Sequence, residues 1–426
     1  MHNLWSRRRF LRVSSVAAFS APALLSLGQS SGETPPNSRI QIGFIGTGKQ
    51  GRFLLHNFLN QPGTQVVAVC DVDTKRREHS RKTVEEHYSA KMDKTFKGCT
   101  EHRDFQELLA RKEIDAVVIA SPDHWHAYHA VAACNAGKDA YCEKPLSLTI
   151  QEARAMVNAA RKNKRVFQTG SMQRSSSEFR KACELVRNGR IGKISKVIVD
   201  VGGPSVPCDL PEEPMEPGLD WDTWLGPAPA RPYNSILSPR GVHDHFPDWR
   251  NYREYSGGMM TDWGAHHFDI AQWGLGMDHS GPVEIIPPED PKATKGVRFL
   301  YANGVEMVHG TSGGVLFIGS EGKILVNRGK FEATPAKLGE EPLGEKDFHL
   351  YKSHNHCSDF LACMKTRQQP ICDVEIGCRS ATVCHLGNLA YWNHRRLKWD
   401  PEKERFVGDD EANRWLDRPK RGKWQV

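Results

Sequence analysis

The stretch Gly43-Phe44-Ile45-Gly46-Thr47-Gly48-Lys49-Gln50-Gly51 constrains this chain more than any other. An alternating segment, Arg39-Ile40-Gln41-Ile42, leads into it, and Phe53, Leu54, Phe58 and Leu59 after it share one face of a helical pattern. Strand, G-x-G-x-x-G, helix is the order that gives the glycines a physical job. Gly46 permits a tight turn, Gly48 lets the backbone approach a pyrophosphate, and Gly51 lets helix and strand pack closely. The start of the helix then offers free N–H groups and a positive dipole end to phosphate oxygens. A second apolar run, Gln65 to Cys70, ends at Asp71, 25 positions after Gly46 and near where an acid meets the adenosine ribose. The competing explanation is a glycine-rich turn in a purely structural α/β unit.

Alternating strand and helix patterns continue from there. The near-continuous apolar run Ile114 to Ala120 suits a parallel strand covered on both faces, and it opens into Ser121-Pro122-Asp123-His124-Trp125-His126. Another strand, Asp139 to Cys142, ends in Glu143-Lys144-Pro145. Ligands of open α/β sheets bind beyond the carboxyl ends of the strands, and four polar constellations fall there. Past Arg190 the texture changes. Lys193 to Val201 alternates like an antiparallel strand with one wet face, and the strands expected at Gly296–Tyr301, Val305–Val308, Gly314–Gly319 and Lys323–Val326 continue it. Between them lies a proline-rich, aromatic excursion, Pro204 to Pro247. Its Trp221 and Trp224 would either stack on a sugar ring or fill the loop's own core.

With Asp262-Trp263-Gly264-Ala265-His266 following Glu143-Lys144-Pro145, the chain resembles the glucose–fructose oxidoreductase / inositol dehydrogenase / MocA family across nearly all of residues 39–400. The resemblance implies an α/β Rossmann dinucleotide-binding domain plus an α+β domain with an open, mostly antiparallel sheet. It also implies a nicotinamide cofactor, a carbohydrate or polyol substrate oxidised or reduced at a hydroxyl, a homo-oligomer, and no metal; Asp71, placed to accept from the ribose hydroxyls and repel a 2′-phosphate, makes the expected cofactor NAD rather than NADP. The expected divisions are a signal peptide at 1–30, a linker at 31–38, the NAD-binding domain at 39–170, the substrate and oligomerisation domain at 171–400, and a tail at 401–426. Cofactor contacts are expected from Gly46, Thr47, Gly48, Lys49, Gln50, Gly51, Asp71, Ser121, Pro122, Trp125, His126, Glu143, Lys144 and Gln173. Lys144, Asp262 and His266 are expected to carry the chemistry, with His245, Trp249, Arg250 and Asp269 holding substrate.

The residues themselves agree with those roles. Asp262, His266, Asp269 and Trp273 are spaced to share one helix face. A carboxylate one turn from an imidazole should orient it and raise its pKa, making His266 a base for a hydroxyl proton, while Lys144 meets the developing oxyanion. An Asp–His pair at this spacing can also simply brace a helix, and His267 lies off the stripe. His243-Asp244-His245 with His266 offers metal-type ligands, but hydride chemistry needs no metal. Exported NAD-dependent glycosidases of the same family are the alternative reading. They carry a tyrosine–histidine arrangement where this chain has Asp262 and His266.

The 11 cysteines form no C-x-x-C, and a Cys372–Cys378 disulfide is conceivable only from proximity in sequence. The amino terminus reads Ser6-Arg7-Arg8-Arg9-Phe10-Leu11-Arg12 before a mild apolar run, which resembles a twin-arginine export signal and implies a periplasmic protein that uses the twin-arginine export machinery. Without the four arginines of residues 1–30 the formal net charge falls from +7 to +3, so no nucleic-acid partner is expected, nor a membrane span in the mature chain. Replacing Arg7 and Arg8 together by lysine should hold full-length protein in the cytoplasm. Fractionation showing continued periplasmic accumulation would remove this address.

Overall fold

The computed structural model describes residues 39–424, so the expected export signal and linker lie outside the described residues. The chain begins with β1 (Ile40–Ile45), α1 (Lys49–Leu59), β2 (Thr64–Cys70), α2 (Thr74–Met92), β3 (Thr100–His102), α3 (Phe105–Leu109), β4 (Ala116–Ile119), α4 (Asp123–Asn135), β5 (Asp139–Cys142), α5 (Ile150–Lys162) and β6 (Phe167–Thr169). The six strands are parallel in the order β3-β2-β1-β4-β5-β6, which reverses between β1 and β4 and opens a crevice at their carboxyl ends. Period-two alternation sends Ile42 and Phe44 to one face of the sheet and Ile45 to the other. On α1 the buried stripe is Gly51, Leu54, Leu55, Phe58 and Leu59, while Phe53, expected on that stripe, is half exposed.

The second part comprises α6 (Ser177–Arg187), β7 (Ile194–Val199), α7 (Trp221–Leu225), α8 (Met259–Asp262), α9 (Gly264–Leu275), β8 (Glu284–Ile286), β9 (Arg298–Leu300), β10 (Glu306–His309), β11 (Val315–Gly319), β12 (Lys323–Asn327), β13 (Lys330–Thr334), α10 (Lys337–Glu340), α11 (His356–Thr366), α12 (Val374–Asn393), β14 (Leu397–Asp400) and β15 (Arg405–Phe406). Its nine strands run in the order β13-β12-β11-β7-β10-β9-β8-β14-β15, antiparallel except for the β7–β10 pair. Phe299, Phe317 and Ile324 face inward against Phe179 of α6, Phe268 of α9 and Leu386 of α12. The fold expected from sequence is therefore the fold observed.

Two features link the parts. The excursion after β7 builds a small core from its Trp221, Trp224, Tyr233 and Leu237 together with Trp249 and Tyr255 just beyond it. Trp221 and Trp224 stack on each other with ring centroids 4.6 Å apart, so they are loop core first. The last turns of the chain also return to the first sheet. Trp424 packs edge-on to Trp125, and Arg418 pairs with Glu152 of α5 at 3.1 Å. All eleven cysteines are free, Cys372 and Cys378 included.

Histidines are used here as buried neutral groups. Burial pushes His124 down to about 3 and His126, His309, His356 and His385 to about 4. Each takes up its proton near pH ~6.5 once unfolded, so between the two values the unfolded chain binds more protons. Their stabilisation is present above pH ~6.5 and is lost as pH falls toward 4. Urea titrations from pH 7.5 to 5 should show stability dropping with a slope of several protons, and a flat profile would contradict the neutral assignment.

Candidate active site

The crevice is built from the glycine turn upward. Gly46 sits at φ +87°, and a Cβ there would meet the Ser121 amide nitrogen at 2.5 Å. A Cβ on Gly51 would strike the Gly46 carbonyl at 2.1 Å, so α1 lies directly against the turn. Gly48 differs, because a Cβ there would meet nothing within 4 Å. It faces the cleft, it is the N-cap of α1, and no side chain caps the first-turn N–H groups behind it. The Asp71 carboxylate accepts from the Thr47 amide at 2.8 Å and its hydroxyl at 3.1 Å, and from the Asp73 amide at 3.0 Å, yet it still lines the cleft. An open, uncapped helix start beside a strand-end carboxylate fits a dinucleotide, with its pyrophosphate over Gly48 and its ribose at Asp71.

The cleft has two connected compartments. The first is largely apolar and lies between Gly48, Asp71, Pro122 and Trp125 on the sheet side and Trp224, Leu237 and Phe246 on the excursion. The second, about 370 Å³, is polar in the groups it gathers, Glu143, Lys144, Asp262, His266, Arg250 and Arg328 among others, although much of its wall is apolar. Ser121, Gln50, Trp249 and Arg250 border both. The excursion is fastened across the cleft. Arg52 of α1 donates to the His243 carbonyl at 2.6 Å and to Asp244 at 2.8 Å, and Lys49 bonds the Asp244 carbonyl. His124 and Trp125 both reach the Trp224 carbonyl at 2.9 Å. Arg76 is committed to the carbonyls of Pro239 and Gly241.

In the polar compartment, Lys144 Nζ donates to the Asp262 carboxylate at 2.8 Å and to its carbonyl at 2.9 Å, while Arg250 Nε lies 3.4 Å from the same carboxylate. Burial alone would raise the Asp262 carboxyl, but the Lys144 and Arg250 charges outweigh it and hold the group below the usual range. Burial pushes Asp123 up to about 7, although it accepts from Ser256 at 2.5 Å, and burial also raises Glu143, which accepts from Gln50 at 2.9 Å. The His266 imidazole is buried with Nδ1 unpartnered among the described residues. Burial, then the Lys144 and Arg328 charges, lower its pKa well below 6.5.

Several expectations need correction. Asp262 does not hold His266, because charge-assisted bonds to Lys144 and Arg250 take up its carboxylate instead. The shift at His266 is consequently downward rather than upward. Asp269 is not a substrate contact. It is fully buried behind the site, bonded to Arg174 at 2.8 and 2.9 Å and to Ser380 at 2.7 Å. His245 is exposed outside both compartments, and its neighbour His243 borders the first instead. Gln173 braces rather than lines the cleft, with its amide placed to donate to the His266 carbonyl and accept from Arg328 Nε, both at 3.1 Å. Thr47 faces Asp71. His126 lines the second compartment, set between the carbonyls of Pro145 and Ser121. His267 packs against the Asp200 carbonyl at 3.1 Å.

Sequence reasoning missed Asp123 as a cleft residue, although it lies inside the noted Ser121–His126 stretch. It also missed Arg328, whose hairpin-turn surroundings carry no motif.

A nucleotide cradle joined to a compartment of lysine, aspartate and histidine is the outline of a dinucleotide-dependent oxidoreductase. Residues 40–171 match the family model described as an oxidoreductase family NAD-binding Rossmann fold, and residues 205–426 match that family's C-terminal alpha/beta domain. The chain belongs to the Gfo/Idh/MocA family of oxidoreductases, and its first domain is the NAD-binding one. It is 33% identical over 171 residues to glycosyl hydrolase family 109 protein 2 of Shewanella sp. (strain ANA-3), covering 37% of each chain. It is 31% identical over 156 residues to inositol 2-dehydrogenase of Salmonella typhimurium, covering 36% of this chain and 43% of that protein. The matches thus span well under half the length of these relatives. Among solved structures, an aldose-aldose oxidoreductase from Caulobacter crescentus shares the fold with TM-score 0.57 and 18% identity, over 84% of this chain and 99% of that one. Scyllo-inositol dehydrogenase from Lactobacillus casei, solved with NAD(H) and scyllo-inositol, does so with TM-score 0.56 and 17% identity, over the same shares.

The placement of Asp269 gives a direct test. Asp269→Ala should lose about 3 kcal/mol of unfolding free energy, near the low end for a broken buried pair because Asp278 still covers Arg174. Cofactor affinity of the folded variant, read by calorimetry, should stay within a factor of two or so of the parent.

Proposed function

We propose that this protein oxidises or reduces a hydroxyl-bearing carbon of a carbohydrate or cyclic polyol with NAD, and that the excursion across the cleft holds the cofactor tightly. The observation that carries the reading is the convergence of Lys144, Asp262 and unpartnered His266 in one polar compartment continuous with the nucleotide cradle. NAD supplies the hydride acceptor or donor. The chain's own residues manage the proton. His266, kept neutral by burial, takes the hydroxyl proton at Nε2, the ring nitrogen that is not sealed off, while Nδ1 stays buried. Lys144, oriented by Asp262, faces the oxygen as its charge develops. The role first expected of Asp262 thereby passes from the imidazole to the ammonium. Walls of Trp249, Phe246 and Pro247 limit water at the junction of the compartments. A carboxylate at the ribose position disfavours a 2′-phosphate, and Arg76 is already occupied, which supports NAD over NADP.

The arginine-rich segment Ser6–Arg12 supports export to the periplasm by the twin-arginine route, and the tight hold on cofactor suits a protein that must carry it along. The similarity to glycosyl hydrolase family 109 proteins favours a second reading, in which NAD is regenerated within each cycle and a glycosidic bond is cleaved. Asp262, in place of that group's tyrosine, favours the first.

The test is single-turnover reduction of enzyme-bound NAD by candidate sugars and polyols, followed at the absorbance of the reduced nicotinamide, with NAD in the denatured protein's supernatant assayed beforehand. His266→Ala should slow reduction by roughly 10²–10⁴-fold with bound NAD little changed. Lys144→Ala should slow it as well and loosen the Asp262 side of the site. Equal rates for both variants and the parent would move the chemistry elsewhere. A steady release of free sugar from a glycoside with no net reduced cofactor would select the second reading.

A further inference from the structure

The polar compartment contains a cation that the proton chemistry does not use. Arg328 lies in the turn between β12 and β13 and reaches the cavity from the second sheet. Its guanidinium lies over the Trp263 ring at 4.5 Å, and Nε meets the Gln173 amide oxygen at 3.1 Å. Those two contacts fix its plane and use one of its five N–H donors. Among the described residues no carboxylate forms an ion pair with it. The nearest acid in the compartment, Asp262, is already taken by Lys144 and Arg250. Arg328 is exposed overall, and the crowding around its guanidinium lowers its pKa. A guanidinium held flat at the cavity wall with its outer edge free is shaped for two parallel bonds to a carboxylate.

We propose that the substrate carries a carboxylate, and that Arg328 binds it. The sugar is then a uronic acid or a comparable sugar acid, lying with its reacting hydroxyl at Lys144 and His266 and its carboxylate at the Arg328 edge. Trp263, which is partly exposed, backs the guanidinium and gives the ring an apolar wall. This deepens the oxidoreductase reading of the same cavity and rests on it. Arg328 is a specificity residue rather than a participant in proton transfer, so it should govern which sugar is taken more than how fast a bound one reacts.

Matched sets of gluco-, galacto- and manno-configured uronates, parent aldoses and aldose 6-phosphates test the idea on the full protein with NAD. Binding is read by tryptophan fluorescence, and turnover by reduced nicotinamide. In at least one configuration the uronate should exceed its aldose in kcat/KM by about tenfold or more. Arg328→Met should cut the uronate-to-aldose ratio by about 10- to 100-fold, chiefly through KM, and Arg328→Lys should recover part of it. An unchanged ratio in Arg328→Met, or no uronate binding in any configuration, overturns the proposal, and a preference for the 6-phosphates replaces the carboxylate by another anion. Reduction by aldoses but not uronates would leave the oxidoreductase reading standing without this one. Uronate binding that depends on Arg328 but never reduces NAD would do the reverse.

Discussion

The ion pair between Lys144 and Asp262 joins the two halves of this molecule at the point where its chemistry is proposed. Lys144 follows the end of β5 in the first sheet, and Asp262 closes the short α8 that leads into the helical layer of the second. The pair is largely buried, with about 15% of each side chain exposed, so neither charge tolerates losing the other. Arg250, just beyond the end of the excursion, adds a third group to the same carboxylate. One anion therefore sets the relative positions of three separate segments. That neighbourhood, together with burial, explains the neutral imidazole of His266. Cations stand on its polar side, and the carboxylate that would have favoured its charged form is turned away.

Much of the architecture was legible because each level of the sequence agreed with the next. Apolar runs marked both the parallel strands and the alternating strands of the second sheet, and the glycine turn carried its own conformational logic. The cleft was legible where it lies at strand ends, as with Asp71, Ser121, Glu143 and Lys144. It was not legible where a residue's role depends on which distant partner meets it. Periodicity from Asp262 to Trp273 implied one face with one role, but Lys144 and Arg250 claim Asp262 at the cleft while Arg174 claims Asp269 in the interior. His245 was misplaced for a different reason. Spacing in an irregular loop says nothing about which side faces inward, and here His243 and Phe246 took the wall. Arg328 arrives from a hairpin far along the chain, where only tertiary structure shows what it approaches.

The excursion shows how a long proline-rich loop can be ordered without regular structure. Stacked Trp221 and Trp224 give it a centre, and the carbonyl of Trp224 receives two ring N–H groups from α4. A Cβ on Gly226, at φ +49°, would strike the Trp125 ring at 2.1 Å, so the loop lies hard against that helix. Its ordering comes from aromatic contact and backbone bonds to the nucleotide domain, and this is why a segment belonging in sequence to the second part forms a wall of the first.

The cover of the first sheet has an implication for synthesis. Phe58 and Tyr141 meet Phe360 of α11 edge-to-face, at 6.4 and 6.0 Å, and Val374, Cys378 and Ala381 of α12 fill the opposite face of the same sheet. These residues leave the ribosome more than 200 positions after Tyr141. The nascent nucleotide domain therefore waits with both faces partly bare while the whole second sheet is being made, and it closes only near the end of translation. Truncation anywhere before α12 would leave a sticky intermediate rather than a smaller working domain.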